Sequence, residues 1–230
     1  MLENQLVIGN VIHNCVNGAW IAEDAVIGKN VTIMPGAVVG RPPLSTGALA
    51  RKQSATLPPV RIGDNCVIGC NAVIYRGTTI GSNCLIGDTA SMREQVSIGD
   101  SCIIAMGVTI NYNTKIGNRV KVMDNSHITG NVIIEDDVFI STLVSTTNDN
   151  SMGREAALNV APELRKRSGP IIRRNATIGA GASVLPGVEI GENAIVGANS
   201  TVTKAVPPKV LVMGTPARVI RPLHASEIKC

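Results

Sequence analysis

Aromatic side chains are scarce in this sequence. Phenylalanine, tyrosine and tryptophan make up 2% of its 230 residues, whereas glycine occurs 23 times. Hydrophobic residues still reach 44%, and they are chiefly isoleucine, valine and alanine. Since an ordinary globular core uses more of the large side chains, this composition indicates a narrow core filled by small branched residues.

Long apolar runs and leader-like segments are also lacking. No run of 18 or more apolar residues exists, which argues against a transmembrane helix. The amino terminus, MLENQLVIGN, has neither the basic nor the long apolar region of a signal peptide, so a cytoplasmic protein is expected. The net charge of +4 is mild. It suits an anionic small ligand as well as a nucleic acid and decides neither.

Metal-binding patterns are missing as well. The six cysteines include no C-x-x-C pair, and the mixed Cys/His spacing of a zinc site is absent, so no metal is expected. Cys66, Cys84 and Cys102 are 18 residues apart and are interpreted as core packing. A disulfide is disfavoured by a reducing cytosol. His13 and His224 lie near the ends, and no special role is assigned to them.

A six-residue repeat runs along most of the chain. From Ile62 to Ile140 the first position of every unit is Ile, Met or Val, and the fifth is small. The rule also holds for units that begin at Ile21, Ile27 and Ile33, and again from Ile172 to Val202. The repeat predicts an all-β solenoid in which three units close one coil of 18 residues, and coils stack about 4.8 Å apart. Glycine at the second position is assigned to tight corners.

Two segments break the repeat. Residues 41–59 and 146–171 are interpreted as loops, the second with a short helix at 155–158, because long excursions from a compact scaffold are usually functional or disordered. The predicted organisation is one domain, 1–221, and a tail, 222–230.

Residues 18 apart lie above one another, so the repeat predicts which side chains share a face. One face is predicted to carry both loops, with the second re-entering there at Ile172, and the corner before it carries His127. Asp124 is expected near the middle of a flat side, out of reach of the His127 ring, with Thr109 and Ser145 as weak orienting neighbours. The other polar side chains predicted on this face are Arg93, Glu94, Asn111 and Tyr112.

The repeat resembles that of the hexapeptide-repeat family of left-handed parallel β-helices over about three quarters of the chain. The left hand is implied by the resemblance alone, because the usual crossover is right-handed. The run IGAGASVLPGVEIGENAIVGANSTVTKAVPPKVLVMGTPARVIR, residues 178–221, resembles the closing segment of hexapeptide acyltransferases. This resemblance implies acetyl-CoA or another short acyl-CoA as co-substrate. Its pantetheine arm would lie along Ala180, Gly181, Ala182 and Ala198, and its phosphates would meet Lys204 and Arg218.

Four further motifs, GDTASMREQVSIG, NYNTKIG, SHITG and STTNDN, together resemble those of N-acyltransferases for dTDP-linked 3-amino-3,6-dideoxyhexoses. The resemblance implies His127 and Asn148 around the sugar amine. It implies sugar-nucleotide contacts at Asp88, Arg93 and Glu94, and a homotrimer with sites between subunits. The first loop, with Arg51 and Lys52, departs from the subgroup's pattern.

The expected reaction is attack of an amine on a thioester, which needs positioning, an oxyanion donor and removal of a proton. A 4-amino-sugar N-acyltransferase or an O-acyltransferase stays open as the alternative. A γ-type carbonic anhydrase would need three zinc histidines, and an ice-binding solenoid would repeat threonine down one face, so neither fits well. No nucleic-acid or membrane partner is expected. The basic cluster at 165–167, with Arg173 and Arg174, is either a solvated face or a phosphate site.

Overall fold

Short parallel strands form three sheets that wind around one core. The computed structural model describes residues 5–8, 11–15, 18–44, 54, 56–152, 154 and 168–229, with the backbone alone at 5–8 and 11–15. From the strand at Val11–Cys15 to the strand at Thr201–Val202, successive strands fall in sheets A, B and C in turn, so every third strand belongs to the same sheet. The chain is therefore a parallel β-solenoid, as the six-residue repeat predicts.

Each sheet is a ladder of strands that follow one another along the solenoid axis. Sheet A contains β1 (Gln5–Ile8), β2 (Val11–Cys15), β5 (Thr32–Ile33), β8 (Val67–Ile68), β11 (Leu85–Ile86), β14 (Ile103–Ile104), β17 (Lys121–Val122), β20 (Phe139–Ile140), β23 (Thr177–Ile178), β26 (Ile195–Val196), β28 (Val210–Met213) and β29 (Arg218–Pro222). Sheet B contains β3 (Trp20–Ile21), β6 (Val38–Arg41), β9 (Val73–Tyr75), β12 (Ser91–Met92), β15 (Thr109–Ile110), β18 (His127–Ile128), β21 (Ser145–Thr146), β24 (Ser183–Val184) and β27 (Thr201–Val202). Sheet C contains β4 (Val26–Ile27), β7 (Arg61–Ile62), β10 (Thr79–Ile80), β13 (Ser97–Ile98), β16 (Lys115–Ile116), β19 (Ile133–Ile134), β22 (Ile171–Ile172) and β25 (Glu189–Ile190).

The repeat's first and fifth positions form the core. Ile68, Ile86 and Ile104 are fully buried, and so are small fifth-position residues such as Ala72 and Ala90. Each buried isoleucine contributes about 1.5–3 kcal/mol relative to an exposed one. A narrow prism has room for one such side chain per side of each coil, which explains why the chain needs so few aromatic residues.

The corners depend on the fourth position of the repeat. Asn65, Asn83 and Asn125 adopt φ angles of 56°, 59° and 56° there, in the left-handed region that asparagine and glycine tolerate best. The role expected for glycine at the second position is therefore wrong. A Cβ at Gly69 would lie 2.5 Å from the backbone nitrogen of Asp88, so these glycines are needed for close approach between coils.

Both predicted loops leave from sheet B. Regular strands end at Arg41 and Thr146 and resume at Arg61 and Ile171, in sheet C. Ile172 pairs with Ile134 of sheet C, so the expected re-entry on the face of His127 is wrong. In both cases the chain leaves the solenoid after a strand of sheet B and returns at the next strand of sheet C. The predicted helix at 155–158, the cluster at 165–167, and Arg51 and Lys52 lie outside the described residues.

The carboxyl-terminal segment folds back on the solenoid. Strands β28 and β29 form an antiparallel hairpin, and a 3-10 turn follows at Ala225–Glu227. Arg221 pairs with Glu227 at 2.7 Å, and the Lys229 N–H donates to Asn193 Oδ1 at 2.9 Å. The ion pair holds the turn against β29, and the hydrogen bond to Asn193 fastens the segment to the corner between sheets C and A.

The stacked cysteines form part of the core. Cys66, Cys84 and Cys102 are at most 2% exposed. The Cys84 N–H donates to Cys66 Sγ at 3.4 Å. Hydrogen bonding with Cys102 raises the pKa of Cys84 to about 11, and burial acts in the same direction. Cys70, in contrast, is half-buried at the corner between sheets A and B.

We expect a thiol reagent to distinguish these positions. In the native protein, 5,5′-dithiobis(2-nitrobenzoic acid) should modify Cys70 and spare the three core cysteines, because only a solvent-accessible thiolate reacts. Unfolding in guanidinium chloride should expose all of them. Peptide mass spectrometry locates the modified residues, and rapid native labelling of Cys84 would contradict the core assignment.

Candidate active site

His127 lies on the outer surface of sheet B. It is the first residue of β18, and the preceding corner is formed by Asp124 and Asn125. The expectation that His127 lies in a corner and Asp124 on a flat side is therefore wrong. Its Nδ1 is hydrogen-bonded to Thr109 Oγ1 at 2.7 Å. Thr109 and Ser145 are its register partners in the adjacent coils.

The surroundings of this ring favour a neutral imidazole. Burial lowers the pKa of His127 from its ordinary value, and Nδ1 is fixed by a threonine hydroxyl. Within the described part of the chain, no carboxylate hydrogen-bonds to the ring; Asp124 Oδ1 instead accepts from the Met106 N–H at 3.2 Å. An imidazole held at one nitrogen and neutral at pH 7 can accept a proton at the other.

The start of the second loop is fastened to the coil of His127. Thr146 is 1% exposed and takes the inward position that is aliphatic in the units from Ile62 to Ile140. Its Oγ1 accepts from the Thr129 N–H at 2.8 Å and donates to the His127 carbonyl at 3.3 Å. Two residues later, Asn148 donates from Nδ2 to the Gly130 carbonyl at 3.0 Å. Side chains thus fix the loop where the chain leaves sheet B.

His127 and Asn148 lie on the same face but not side by side. Asn148 follows Ser145, the register partner of His127, by three residues. That offset corresponds to about 10 Å along the strand at roughly 3.3 Å per residue. A ligand in contact with both must therefore extend across the width of sheet B. Asn148 is also 8% exposed, and its amide nitrogen is already engaged.

Several predicted residues line the loop side of this face. The Arg93 Nε lies 3.1 Å from Glu94 Oε2, and the Glu94 side chain is 2% exposed. Because the Glu94 carboxylate is buried and hydrogen-bonded to Arg93, it is not accessible for the direct contact with a sugar nucleotide that was expected of it. Asn111 is half-buried one coil above Arg93. The Tyr112 ring covers Gly130, where a Cβ would lie 2.7 Å from it.

The corner between sheets A and B forms the opposite edge of the face. Asp88 lies there, and its Oδ1 accepts from the Cys70 N–H at 2.7 Å, which ties two corners together. Higher on the same corner, Ala180 and Ala198 follow β23 and β26. Their short side chains leave this corner smooth in the last two coils, whereas Leu143, which is 64% exposed, lies on the same corner in the coil between Ala180 and His127.

The other two residues expected along the pantetheine arm are Gly181 and Ala182. Gly181 is partly exposed at the corner, whereas Ala182 is buried. Gly181 takes a φ of 68° at the corner beside Ala180, a conformation that glycine adopts without cost. Ala182 is fully buried, and its N–H donates to the Gly179 carbonyl. Its predicted contact with a pantetheine arm is therefore wrong, because an inward fifth-position side chain supports the corner from inside.

Lys204 and Arg218 are both exposed near the end of the solenoid, on different elements. Lys204 follows β27 at the corner between sheets B and C, and Arg218 opens β29. The Ala217 N–H donates to the Thr201 carbonyl at 2.8 Å, which brings the hairpin tip onto the last strand of sheet B. The two cations therefore flank Thr201.

Metal-ligand clusters and membrane-spanning helices are absent from the part of the chain that the structure describes. These residues contain no group of three or more His, Cys, Asp or Glu side chains arranged to hold a metal ion. None of the helices among them is long and apolar enough to cross a membrane.

Comparison with known families assigns the repeat. A model described as bacterial transferase hexapeptide (six repeats) matches residues 77–112, 113–144 and 169–204, and one described as hexapeptide repeat of succinyl-transferase matches residues 59–88. Together they cover about half of the chain. The chain belongs to the hexapeptide-repeat transferase family.

Relatives of this hexapeptide-repeat transferase match it over limited stretches. A serine acetyltransferase of Buchnera aphidicola subsp. Schizaphis graminum is 39% identical over 101 residues, which is 44% of this chain and 36% of that protein. A galactoside O-acetyltransferase of Lactococcus lactis subsp. lactis is 45% identical over 75 residues, which is 30% of this chain and 36% of that protein. The chain spans little more than a third of the length of these relatives.

The solved structure of LpxA, a UDP-N-acetylglucosamine acyltransferase from Bacteroides fragilis, superposes with a TM-score of 0.69 at 21% identity. The superposition covers 90% of this chain and 74% of that chain. This likeness concerns the fold, and it confirms the left-handed parallel β-helix that the repeat's resemblance implied.

We expect His127 of this hexapeptide-repeat transferase to titrate below the ordinary histidine value of about 6.5. Burial disfavours the charged ring, so the neutral form should persist to lower pH. The imidazole proton resonances, followed by NMR against pH and assigned with a His127→Asn variant, measure the midpoint. A midpoint at or above the ordinary value would show that the ring is not desolvated. Thr109→Val should change the tautomer signature of its nitrogens, whereas Thr109→Ser should preserve it.

Proposed function

We propose that this protein is a CoA-dependent acyltransferase that transfers an acetyl or other short acyl group to the amino group of a nucleotide-linked amino-deoxy sugar. The most direct candidate acceptor is a dTDP-3-amino-3,6-dideoxyhexose. The observation that carries the proposal is the half-buried His127 on the sheet B face, which is hydrogen-bonded to Thr109 and lies between the two places where loops leave that sheet.

The acyl donor is assigned to the carboxyl-terminal half of this face. The corner at Ala180 and Ala198 offers an extended arm a path without large side chains over the last two coils, and below them the arm would pass Leu143 to reach the coil of His127. At its upper end the exposed Lys204 and Arg218 provide positive charge for phosphate groups. Serine acetyltransferase and galactoside O-acetyltransferase, named among the relatives, support acyl transfer as the reaction class.

The acceptor is assigned to the amino-terminal half of the face and to the loop roots. Arg93, Asn111 and Tyr112 present a cation, an amide and a phenol between His127 and the first loop. Such a mixture suits a phosphorylated, hydroxyl-rich ligand better than an apolar one. The solved LpxA, which acts on a UDP-sugar by its name, shares the fold.

The proposed chemistry needs no enzyme nucleophile, because the thioester is itself activated. The neutral sugar amine attacks the thioester carbonyl, a tetrahedral oxyanion forms, and the CoA thiolate leaves. The amine's proton passes to the free nitrogen of His127 and then to the leaving thiolate. Ser145, paired with His127 in the next coil, carries a hydroxyl on the donor side of the reacting carbonyl.

The environment of His127 supports nitrogen as the acceptor atom. A hydroxyl acceptor must lose a proton of very high pKa, and enzymes that do this often hold the base with a carboxylate. The ring's partner here is a threonine hydroxyl. An amine can attack first and release its proton afterwards, which demands less of the base.

O-acylation is the second candidate, and one observation favours it. Both relatives described above carry names that specify transfer to an oxygen or to serine. In that case His127 would deprotonate a sugar hydroxyl at the same place, with Thr109 alone orienting the ring.

Self-association is part of the proposal. The lower part of an outward column on sheet A is apolar, with Val67 and Leu85 about 40% exposed and Ile103 half-buried. Lys121 interrupts the column above Ile103, before the half-buried Phe139. Apolar columns of this kind are usually covered by a partner. We propose a homotrimer, in which a neighbouring copy completes the groove beside His127.

A product assay tests the acceptor atom. The protein should convert acetyl-CoA and a dTDP-3-amino-3,6-dideoxyhexose to an amide, with free thiol released, and leave the matching 3-hydroxy sugar unchanged. The rate should rise with pH through the amine pKa and then level, because only the neutral amine attacks. A hydroxylamine-labile ester from the hydroxy sugar would instead establish O-acylation.

The same assay tests His127. A folded His127→Ala variant should lose at least about 100-fold in kcat/KM if the ring takes the proton, and less if it only orients the amine. Wild-type turnover in that variant would remove His127 from the mechanism.

Substitutions at the carboxyl-terminal end test the donor site. Lys204→Gln and Arg218→Gln should each raise the KM for acyl-CoA about tenfold, the effect of losing one charge-assisted contact, and leave the KM for the sugar nucleotide nearly unchanged. Lys209→Gln, at the corner between sheets C and A of the same coil, is the charge-matched control. Equal effects on both substrates would show that the donor groove is misplaced.

A further inference from the structure

Two arginines stack against one tyrosine on the amino-terminal half of the sheet B face. The guanidinium carbons of Arg41 and Arg93 each lie 5.3 Å from the centroid of the Tyr75 ring. Arg41 is the register partner of Tyr75 on one side, and Arg93 lies one coil away on the other. The two cations are therefore held within about 11 Å of each other, at a separation that cation–π attraction maintains.

A β-bulge brings Arg41 to this position. The register shifts between Val39 and Arg41, so that Arg41 rather than Gly40 lies opposite Tyr75. Gly40 has a φ of 89°, and a Cβ there would lie 2.6 Å from the Ala22 Cβ. Only glycine satisfies both conditions. Bulges of this type re-aim a side chain and are over-represented beside functional sites.

The charges of this cluster do not cancel. The Arg93 Nε is held by the buried Glu94, whereas Arg41 is exposed and forms no ion pair within the described part of the chain. The neighbouring Arg76 differs from both, because Asp24 binds it through two hydrogen bonds. Among the described residues, the ion pair of this cluster involves Arg93 and not Arg41, so Arg41 keeps a positive charge that faces solvent.

We infer that Arg41 and Arg93, spaced by Tyr75, form a clamp for the diphosphate of a nucleoside diphosphate sugar. This inference rests on the proposed function and adds Arg41 and Tyr75 to its binding site. A diphosphate has an anionic phosphoryl group at each end, and guanidinium forks bind such groups through paired hydrogen bonds. A single carboxylate ligand would satisfy only one of the two arginines.

The clamp lies at a suitable distance from His127. Arg93 is two coils below His127 and two residues further along the strand, which corresponds to about 12 Å at the usual coil spacing and rise. A hexosyl group and the length of an arginine side chain together span that gap. The sugar's reacting atom then meets His127 while its diphosphate meets Arg93 and Arg41.

CoA also contains a diphosphate, so the ligand's source needs a direct test. The smooth corner and the exposed cations assigned to CoA lie toward the opposite end of the solenoid from Arg41. We therefore assign the clamp to the nucleotide sugar and expect CoA to bind independently of it.

Isothermal titration calorimetry on the full chain separates these assignments. Wild-type protein is titrated with dTDP, UDP, thymidine and CoA. Arg41→Gln and Arg93→Gln should each weaken binding of the better diphosphate at least tenfold and leave thymidine and CoA binding within twofold. Arg61→Gln, which removes an exposed charge on sheet C, is the matched control and should change none of these affinities. Thermal unfolding checks that each variant is folded.

The outcomes are distinct. Loss of diphosphate binding in both clamp variants, with CoA binding kept, supports the clamp even if no acyl transfer is found. Unchanged diphosphate affinity in the variants overturns it, even where wild-type protein acylates a nucleotide sugar. Weakened CoA binding would reassign the cluster to the donor, and absence of wild-type binding to both dTDP and UDP would also overturn the inference. Arg41→Lys should recover only part of the affinity, since lysine lacks the planar fork.

Discussion

Hydrogen bonds between coils 18 residues apart set the position of every outward side chain on this solenoid. The His127 N–H donates to the Val144 carbonyl at 2.8 Å, and the Thr109 N–H donates to the Ser126 carbonyl at 3.0 Å. Because the strands of Thr109, His127 and Ser145 have two residues each, a side chain there cannot shift along its sheet without breaking the coil. The site therefore needs no helix and little side-chain packing outside the core, since the backbone ladder already places Thr109, His127 and Ser145 in one column.

In a few places the regular pattern of backbone hydrogen bonds between coils is interrupted, and polar or charged side chains are positioned there. Thr146 replaces an inward aliphatic residue and uses its hydroxyl to satisfy the Thr129 N–H, which in the lower coils is met by a backbone carbonyl. Gly40 adds one residue to β6 and re-aims Arg41. Both departures occur where a loop leaves sheet B. The two halves of the face are thus built differently. The proposed donor side follows the regular repeat, whereas the proposed acceptor side depends on the places where the loops interrupt the repeat.

The repeat made the fold predictable, because a six-residue period leaves one arrangement of inward and outward positions. It also identified the column of His127, since spacing by 18 residues converts sequence into height. It did not predict the corner positions of Asp124 and Asn125. Each strand consists of the sixth position of one repeat unit and the first position of the next, so the third and fourth positions lie at a corner. The burial of Ala182 follows from its fifth position in the repeat, but the family resemblance assigned it to the pantetheine arm. The burial of Glu94, at a third position, has no signal in the repeat. The polar Thr146 was a detectable signal, as an exception in an aliphatic column. The stack of Arg41, Tyr75 and Arg93 was harder to find, because a bulge breaks the counting.

The antiparallel strands at the two ends of sheet A have a consequence for the behaviour of the protein at high concentration. A parallel solenoid presents open strand edges at both ends, and identical molecules can in principle add to one another there without limit. Here β1 pairs antiparallel with β2, and β29 pairs antiparallel with β28. A reversed strand offers the wrong hydrogen-bonding pattern for another parallel coil. Each end of sheet A thus carries a reversed strand that disfavours the addition of another parallel coil, whereas sheets B and C end on parallel strands.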